Sequence, residues 1–253
     1  MFTINKLFYS PVKSLSFSSV NKLEILDNIG IKFDRNFAFT RNLDDNKINY
    51  ILNNPLKRQI INFLSLKHFP ELNEYNFDLE KEILILKKNN KIILQTNINI
   101  QSDVETLCDK ILLLIPKLER IKLIKDSKNP FFDTMPSNTI SLINLNSIKD
   151  FEKKISKNVE LERFRGNIYI NGLDAWEERN WINKTLEINN IKFKVIKEIP
   201  RCSATNIKPN SSKYNLSVPL LLKQFYNHIN LGIYILPLNN GNIKLNDEIL
   251  IND

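Results

Sequence analysis

Short β-prone runs separated by polar turns dominate the hydrophobic pattern of this chain. Apolar and polar positions alternate over residues 1–9, as in a strand with one buried face. Asn89 and Asn90 lie between two such runs and predict a hairpin turn, because asparagine tolerates positive φ. The pattern predicts strands over residues 1–9, 20–26, 36–40, 60–66, 83–86, 91–94, 118–124, 139–143, 167–170, 186–188, 191–199, 231–236 and 248–251.

Helical periodicity is confined to a few segments. Leu107, Ile111 and Ile115 recur at helical spacing and predict a helix over residues 104–115, which ends at Pro116. Further helices are predicted over residues 146–156 and 218–226. The chain has only five glycines and no Gly-rich phosphate loop. We therefore predict a mainly β fold with a few helices (α+β), rather than a doubly wound α/β sheet.

A polar segment over residues 125–130 is the best candidate for a boundary within the chain. Its sequence, Lys-Asp-Ser-Lys-Asn-Pro, interrupts the strand pattern with residues typical of linkers. A length of 253 residues suits one large domain or two packed lobes. We predict two units, over residues 1–124 and 130–253.

Composition narrows the class of protein. Hydrophobic residues make up 42% of the chain and charged residues 25%, as in ordinary globular proteins. Two cysteines and two histidines exclude a disulfide scaffold, an in-chain four-thiolate cluster and a His-rich metal centre. The sequence shows neither a signal peptide nor an apolar run of membrane-spanning length, so we expect a reduced, cytoplasmic protein without membrane attachment.

The positive charge is spread widely. Thirty-six Lys and Arg against 28 Asp and Glu give a net charge of +8, which would suit nucleic acid or anionic lipid. The lysines are scattered, however, and no basic stripe with stacking aromatics is visible, so we expect no nucleic-acid partner. Arginine is rare in this lysine-rich chain, and a position that holds arginine is a candidate for planar recognition of an anion.

Two short segments in the first region offer groups for binding an anion. Lys13 and Ser14 follow Pro11 at the end of the first strand, where an ammonium and a hydroxyl can bind an oxyanion together. Asp34 and Arg35 open another strand. The sequence alone favours a surface ion pair there, and an inward-pointing Arg35 would instead require an anionic partner.

Cys202 is the candidate reactive group of the second region. It follows a long β run and stands next to Arg201, and a cation beside a thiol favours the thiolate that acts as nucleophile or metal ligand. Burial without function is the alternative for a single cysteine. Cys108 lies on the apolar stripe of its predicted helix and is interpreted as an inert core thiol.

Taken in order, these segments resemble the MOSC family of molybdenum-cofactor-binding domains, in the branch that includes the mitochondrial amidoxime reducing component and its bacterial relatives. The resemblance covers nearly the whole chain. It implies an N-terminal β-barrel lobe packed on a MOSC β-barrel domain. The motifs that carry it are Pro11-Val12-Lys13-Ser14, Gly30 with Asp34-Arg35, Arg163-Phe164-Arg165-Gly166-Asn167, Gly172 to Glu178, Arg201-Cys202 to Thr205, and Leu231-Gly232-Ile233-Tyr234.

The resemblance also implies roles for individual residues. Cys202 is expected to be the catalytic residue and the molybdenum ligand, since thiolate is a soft, electron-rich donor. Other residues are expected to bind the molybdenum–molybdopterin cofactor (Moco). These are Lys13, Ser14 and Arg35 at its phosphate, Arg165 and Asn167 beside its pterin, Asp133 and Thr134 at the pterin amino groups, and Arg201 beside the cysteine. The chain departs from the family pattern after the cysteine, where Thr205-Asn206-Ile207-Lys208-Pro209 lacks the acidic residue that the family usually has before the proline.

The implied activity is that of a molybdenum-dependent oxidoreductase that reduces small N-hydroxylated or N-oxygenated compounds. Because the chain has no cysteine set for an iron–sulfur cluster, we expect electrons from a separate donor protein, such as a ferredoxin, a haem protein or a flavin reductase. The alternative is a Moco carrier or insertion protein without turnover.

Overall fold

A computed structural model describes residues 1–15, 17–132 and 138–252. Strands outnumber helices in this part of the chain, so the prediction of a mainly β fold is confirmed. The α-helices are α1 (Asp45–Asn53), α2 (Gln101–Leu113), α3 (Leu145–Ile155) and α4 (Val218–Tyr226). The strands are β1 (Phe2–Tyr9), β2 (Ser18–Val20), β3 (Lys22–Leu26), β4 (Gly30–Ile31), β5 (Phe37–Phe39), β6 (Tyr75–Glu80), β7 (Ile83–Lys88), β8 (Lys91–Asn97), β9 (Leu123–Lys125), β10 (Ile140–Asn144), β11 (Ile168–Asn171), β12 (Thr185–Ile188), β13 (Ile191–Pro200), β14 (Asn230–Pro237), β15 (Gly241–Lys244) and β16 (Glu248–Asn252).

Seven strands close into a barrel, in the order β1, β11, β10, β14, β13, β12 and β16. Neighbouring strands are antiparallel except β10 and β11, which are parallel. The alternation along β13 explains its place: Ile191, Phe193 and Val195 are buried in the barrel core, whereas Lys192 and Lys194 between them are exposed. The barrel is thus a closed sheet around an aliphatic interior, and its ends carry the loops.

The strands of the N-terminal region form smaller sheets beside the barrel. Strands β6, β7 and β8 pair in an antiparallel sheet, and α2 buries Leu107 and Ile111 in the same apolar cluster as β6 and β7. Strand pairing also crosses the predicted boundary, because β1 closes the barrel and β3 pairs with β15. The division of the chain near residues 124–130 stays a prediction.

The segment over residues 60–66 was the main error among the predicted strands. Its first part is a 3₁₀ turn (Ile60–Asn62) stabilised by reciprocal hydrogen bonds between Gln59 and Asn62, and a single bridge joins Thr40 to Phe63. The apolar run there reflects burial of Phe63 and Leu64 without a strand ladder. The predicted strand over residues 118–124 shortens to β9, which pairs with β5.

The helices were predicted with mixed success. Helix α4 has the predicted bounds, and α2 and α3 overlap their predicted ranges. Helix α1 was missed, although Asp44 caps it through a 2.7 Å hydrogen bond from the Lys47 amide and its inner face buries Ile48 and Ile51. Among the described residues, no helix combines the length and apolar character needed to cross a bilayer. The cytoplasmic location stays a prediction.

Candidate active site

A cavity of about 450 Å³ opens between the N-terminal region and the loops at one end of the barrel, and both regions line it. The cationic side chains in its wall are Lys13, Arg35, Lys67, Arg165, Lys197 and Arg201. No aspartate or glutamate is found among the described lining residues. The wall also carries apolar groups, including Phe132, Phe164 and Ile199, and the thiol of Cys202. The cavity therefore suits an anionic ligand with a planar or apolar part.

Backbone hydrogen bonds fix to each other the two N-terminal segments that were predicted to bind an anion. The Arg35 amide donates to the Ser10 carbonyl at 2.7 Å, and the Lys13 amide donates to the Phe37 carbonyl at 2.8 Å. Lys13 is almost fully buried, and its ammonium donates to the Phe131 carbonyl at 3.1 Å. Lys13 and Arg35, which are far apart in the sequence, thus belong to one rigid corner of the cavity.

Asp34 is fully buried, so the expectation that its ion pair with Arg35 lies on the surface is wrong. Its carboxylate accepts hydrogen bonds from the Ser10 amide at 2.8 Å and the Asn167 side chain at 3.2 Å, and it pairs with the Arg35 guanidinium. A buried charge needs such partners, since leaving it unpaired is costly. Asp34 orients the Arg35 side chain, and Asn167 in turn holds Asp34.

Three of the predicted site residues adopt a left-handed backbone. Ser14, Arg35 and Arg165 have φ values of 70°, 53° and 54°. This conformation is unfavourable for residues other than glycine and asparagine, by about 1–2 kcal/mol each. Left-handed residues of other types are concentrated at functional sites, where the surrounding structure holds them. The strained backbone at these three positions makes this wall a candidate for a functional role.

Arg201 lines the cavity, but its guanidinium is engaged with the protein backbone. Nη1 donates to the Phe164 carbonyl and Nε to the Leu231 carbonyl, each at 2.8 Å. Burial lowers the pKa of Arg201. Gly232 makes this approach possible, because a Cβ there would lie 3.2 Å from the Arg201 Nη2 atom and 2.7 Å from a backbone oxygen. Arg201 thus braces the loop before β11 against β14.

Cys202 is exposed at the cavity, two residues beyond the end of β13. The pairing of β13 with β14 shifts register twice, the second time between Glu198 and Pro200. Such irregularities re-aim the chain at the end of a strand. The Cys202 carbonyl accepts hydrogen bonds from the amide and the hydroxyl of Thr205, at 3.1 and 2.7 Å. The backbone is thereby fixed while the thiol remains accessible.

The structure brings most of the predicted site residues together. Six of them line the cavity: Lys13, Ser14, Arg35, Arg165, Arg201 and Cys202. Asn167 is fully buried behind the wall and does not line the cavity. Asp133 and Thr134 lie outside the described residues. Their predicted role stays a prediction.

Several lining residues were not anticipated from the sequence. Lys67 and Lys197 carried no signal, because they are two of many scattered lysines. Phe132 stacks on Arg35, with 4.2 Å between the guanidinium carbon and the ring centre. Its position next to Asp133 was the only available clue. In the described parts of the chain, no three His, Cys, Asp or Glu side chains gather as the ligands of a metal ion would.

The MOSC domain family model matches residues 132–250, which contain the barrel strands from β10 to β16 and Cys202. The match covers slightly less than half of the chain, and over these residues the chain is similar to MOSC domains. The predicted resemblance to this family is confirmed.

Named relatives match the chain over different lengths. The molybdenum cofactor sulfurase of Caenorhabditis briggsae is 24% identical over 92% of this chain and 33% of its own length. Mitochondrial amidoxime reducing component 2 of Macaca fascicularis is 35% identical over 29% of this chain and 22% of its own length. Human mitochondrial amidoxime-reducing component 1 is 26% identical over 42% of this chain and 34% of its own length. The chain thus spans about a third or less of these relatives.

Among solved structures, the YuaD protein from Bacillus subtilis aligns over 99% of this chain and 96% of its own chain. The TM-score is 0.47 and the sequence identity is 11%.

Proposed function

We propose that this protein binds the molybdenum–molybdopterin cofactor in the 450 Å³ cavity and reduces small N-oxygenated compounds. The observation that carries the proposal is the pairing of one exposed thiol, Cys202, with a wall of cationic side chains in a single cavity. The match of residues 132–250 to the MOSC family model and the names of the relatives support it.

The donor set of the cavity suits this cofactor. A thiolate is a soft ligand for a metal that also carries sulfur ligands, so Cys202 would be the protein ligand to molybdenum. Lys13, Ser14 and Arg35 would hold the phosphate, because ammonium, hydroxyl and guanidinium groups all donate to phosphate oxygens. When bound, the cofactor would supply the two-electron reduction of an N–O bond, which with two protons yields an amine and water.

The protein's own residues would position the ligands. Asp34 orients Arg35, and Arg201 holds the loop that presents Arg165. Apolar groups such as Phe164 and Ile199 exclude water from one side of the cavity, which strengthens the electrostatic interactions inside it. These roles are positioning and electrostatics, as expected where a cofactor performs the redox chemistry.

The proposal includes an electron donor outside this chain. Two cysteines do not suffice for an iron–sulfur cluster, and Cys108 is partly buried against the N-terminal core. A separate ferredoxin, haem protein or flavin reductase would deliver the electrons. The exposed position of the thiol would allow both the donor and a small N-hydroxylated substrate to approach it.

Turnover with an artificial donor tests the reductase activity. The full chain would be produced in a host that makes molybdopterin and assayed with reduced viologen and either benzamidoxime or hydroxylamine. We expect reduction that requires the viologen, and no reduction with NADH alone. A preparation loaded with cofactor that stays inert toward both substrates would overturn the reductase assignment.

A Moco carrier without turnover is the second candidate. The likeness to the nematode sulfurase, which spans 92% of this chain but a third of that protein, favours a role in handling the cofactor. A carrier would be loaded, inert with reduced viologen, and able to transfer its cofactor to an apoenzyme. The viologen assay therefore separates the two candidates.

A further inference from the structure

The ring of Phe17 lies against two arginines that come from distant parts of the sequence. The guanidinium carbon of Arg35 is 4.6 Å from the ring centre, and that of Arg165 is also 4.6 Å from it. Phe17 directly precedes β2, Arg35 follows β4, and Arg165 precedes β11. One aromatic side chain thus contacts two cations that line the cavity.

Arg35 has a second aromatic neighbour, Phe132. Phe132 lies 4.2 Å from the Arg35 guanidinium carbon, so this group has two aromatic neighbours. The edge of the Arg35 guanidinium pairs with Asp34, and the Nη2 atom of Arg165 donates to the Leu15 carbonyl at 2.9 Å. Both arginines are therefore held by contacts of different kinds, and Phe17 is the contact that they share.

This arrangement has a clear physical consequence. Two guanidinium groups that are close together repel each other, and an aromatic ring offsets part of that repulsion through its negative face. Stacking occupies the faces of a guanidinium, while its N–H donors project from the edge in the plane where an oxyanion binds. A ring shared by two arginines therefore fixes their spacing and leaves edges for an anion.

We propose that Phe17 is a positioning residue that holds Arg35 and Arg165 at the spacing needed to bind one anionic group together. The identification of that group as the cofactor phosphate rests on the proposed function, and it assigns Arg165 to the phosphate instead of the pterin side expected from the sequence. The pairing of the arginines through Phe17 does not, so it can be tested with the protein alone. Phe17 itself lines a second cavity of about 670 Å³, while the arginines that it contacts line the first, and Arg165 lines both.

The test measures binding of inorganic phosphate to protein produced without cofactor, by isothermal titration at low ionic strength. Phe17→Leu keeps an apolar side chain but removes the aromatic face. We expect it to lower phosphate affinity about tenfold, the size of effect that one partly buried cation–π contact supports. Phe17→Tyr keeps the face, and we expect its affinity to stay within about threefold of the wild type.

A matched variant separates positioning from general stability. Phe2→Leu removes another partly buried ring, which contacts Trp181 at 5.8 Å outside the cavity. We expect it to lower the melting temperature without changing phosphate affinity. In an Arg165→Ala background, Phe17→Leu is expected to have a much smaller effect, because the pair it positions no longer exists.

Three results would overturn the inference: no phosphate binding by the wild type, unchanged affinity in Phe17→Leu, or an equal loss in Phe2→Leu. The proposed function fails separately. If phosphate binding follows the expected pattern while protein from a molybdopterin-producing host contains no molybdenum, the role of Phe17 stands and the cofactor assignment is lost.

Discussion

The side-chain amide of Asn167 donates a 3.2 Å hydrogen bond to the carboxylate of Asp34, which pairs with Arg35. Asn167 precedes a barrel strand, whereas Asp34 and Arg35 belong to the N-terminal region. The same amide also donates to the Phe8 carbonyl, and its oxygen accepts from the Ser141 hydroxyl at 2.7 Å. A fully buried asparagine thus ties the barrel to the group expected to bind phosphate.

Loss of the Asn167 side chain should therefore cost stability. Asn167→Ala leaves the buried Asp34 and Ser141 groups short of partners, and we expect the free energy of unfolding to fall by about 2–4 kcal/mol. Urea unfolding followed by circular dichroism measures it. The control is Asn180→Ala on the exposed surface, where a change within about 0.5 kcal/mol is expected. A wild-type midpoint in Asn167→Ala would contradict this account.

Arg201 is expected to stabilise the fold through its hydrogen bonds to backbone carbonyls, and not by contacting a ligand. Lysine in its place keeps the charge but cannot donate to the Phe164 and Leu231 carbonyls in the same planar geometry. We expect Arg201→Lys to lower the free energy of unfolding by about 2–3 kcal/mol even in the absence of cofactor. If cofactor-free Arg201→Lys has the same free energy of unfolding as the wild type, Arg201 does not stabilise the fold in this way.

Retention of the cofactor should depend on Arg35. Arg35→Ala removes a charge-assisted contact of about 1.5–3 kcal/mol, so we expect at least a tenfold faster loss of cofactor during dialysis. Arg120 is the control, because it forms an exposed pair with Asp45. Dialysis of Arg120→Ala should match the wild type. Equal cofactor loss in both variants would show that net charge, and not Arg35, governs retention.

His228 should make stability sensitive to mild acid. Burial and the neighbouring Arg179 guanidinium, whose Nη1 atom is 2.8 Å from His228 Nε2, lower the pKa of His228 below its usual 6.5, and Lys223 acts in the same direction. Glu198 acts in the opposite direction, but the net effect on the pKa of His228 is a lowering. The unfolded chain therefore binds this proton at a higher pH than the folded chain, so stability falls as the pH drops below about 6.5.

The measurement for His228 is the difference in unfolding free energy between pH 7.5 and 5.5. We expect His228→Gln, which does not titrate, to show a smaller drop than the wild type. The carboxylates are present in both proteins, so the comparison isolates the imidazole. A drop of the same size in both proteins would show that His228 does not contribute.

The sequence predicted β13 from its alternation but missed β6, although Tyr75, Phe77 and Leu79 also alternate with polar residues there. It also missed features that depend on tertiary contacts. The pattern in β13 reads directly as one buried face, because every second residue enters the barrel. The run over residues 60–66 is equally apolar, but its burial comes from packing without a ladder, which periodicity does not distinguish. Closure of the barrel by β1 is a long-range pairing that no local pattern encodes.

The site was predictable where a motif carried it. Lys13, Arg35, Arg165 and Cys202 meet in one cavity, as the order of the motifs implied. The burial of Asp34 and the stacking on Phe17 were not predictable, because both depend on groups brought from distant segments by the fold. In a sequence, neither an adjacent Asp-Arg pair nor a single phenylalanine by itself indicates a functional site.

Molybdenum content is the most direct test of the central claim, which is that Cys202 anchors a cofactor in the cavity. The full chain would be produced in a host that makes molybdopterin, and metal per protein measured for the wild type, Cys202→Ser and Cys108→Ser. Cys108 is the matched thiol, since it is partly buried in the N-terminal core and burial raises its pKa. We predict about one molybdenum per chain in the wild type and Cys108→Ser, and loss of molybdenum in Cys202→Ser. Equal molybdenum in all three proteins, or none in the wild type, would contradict the account.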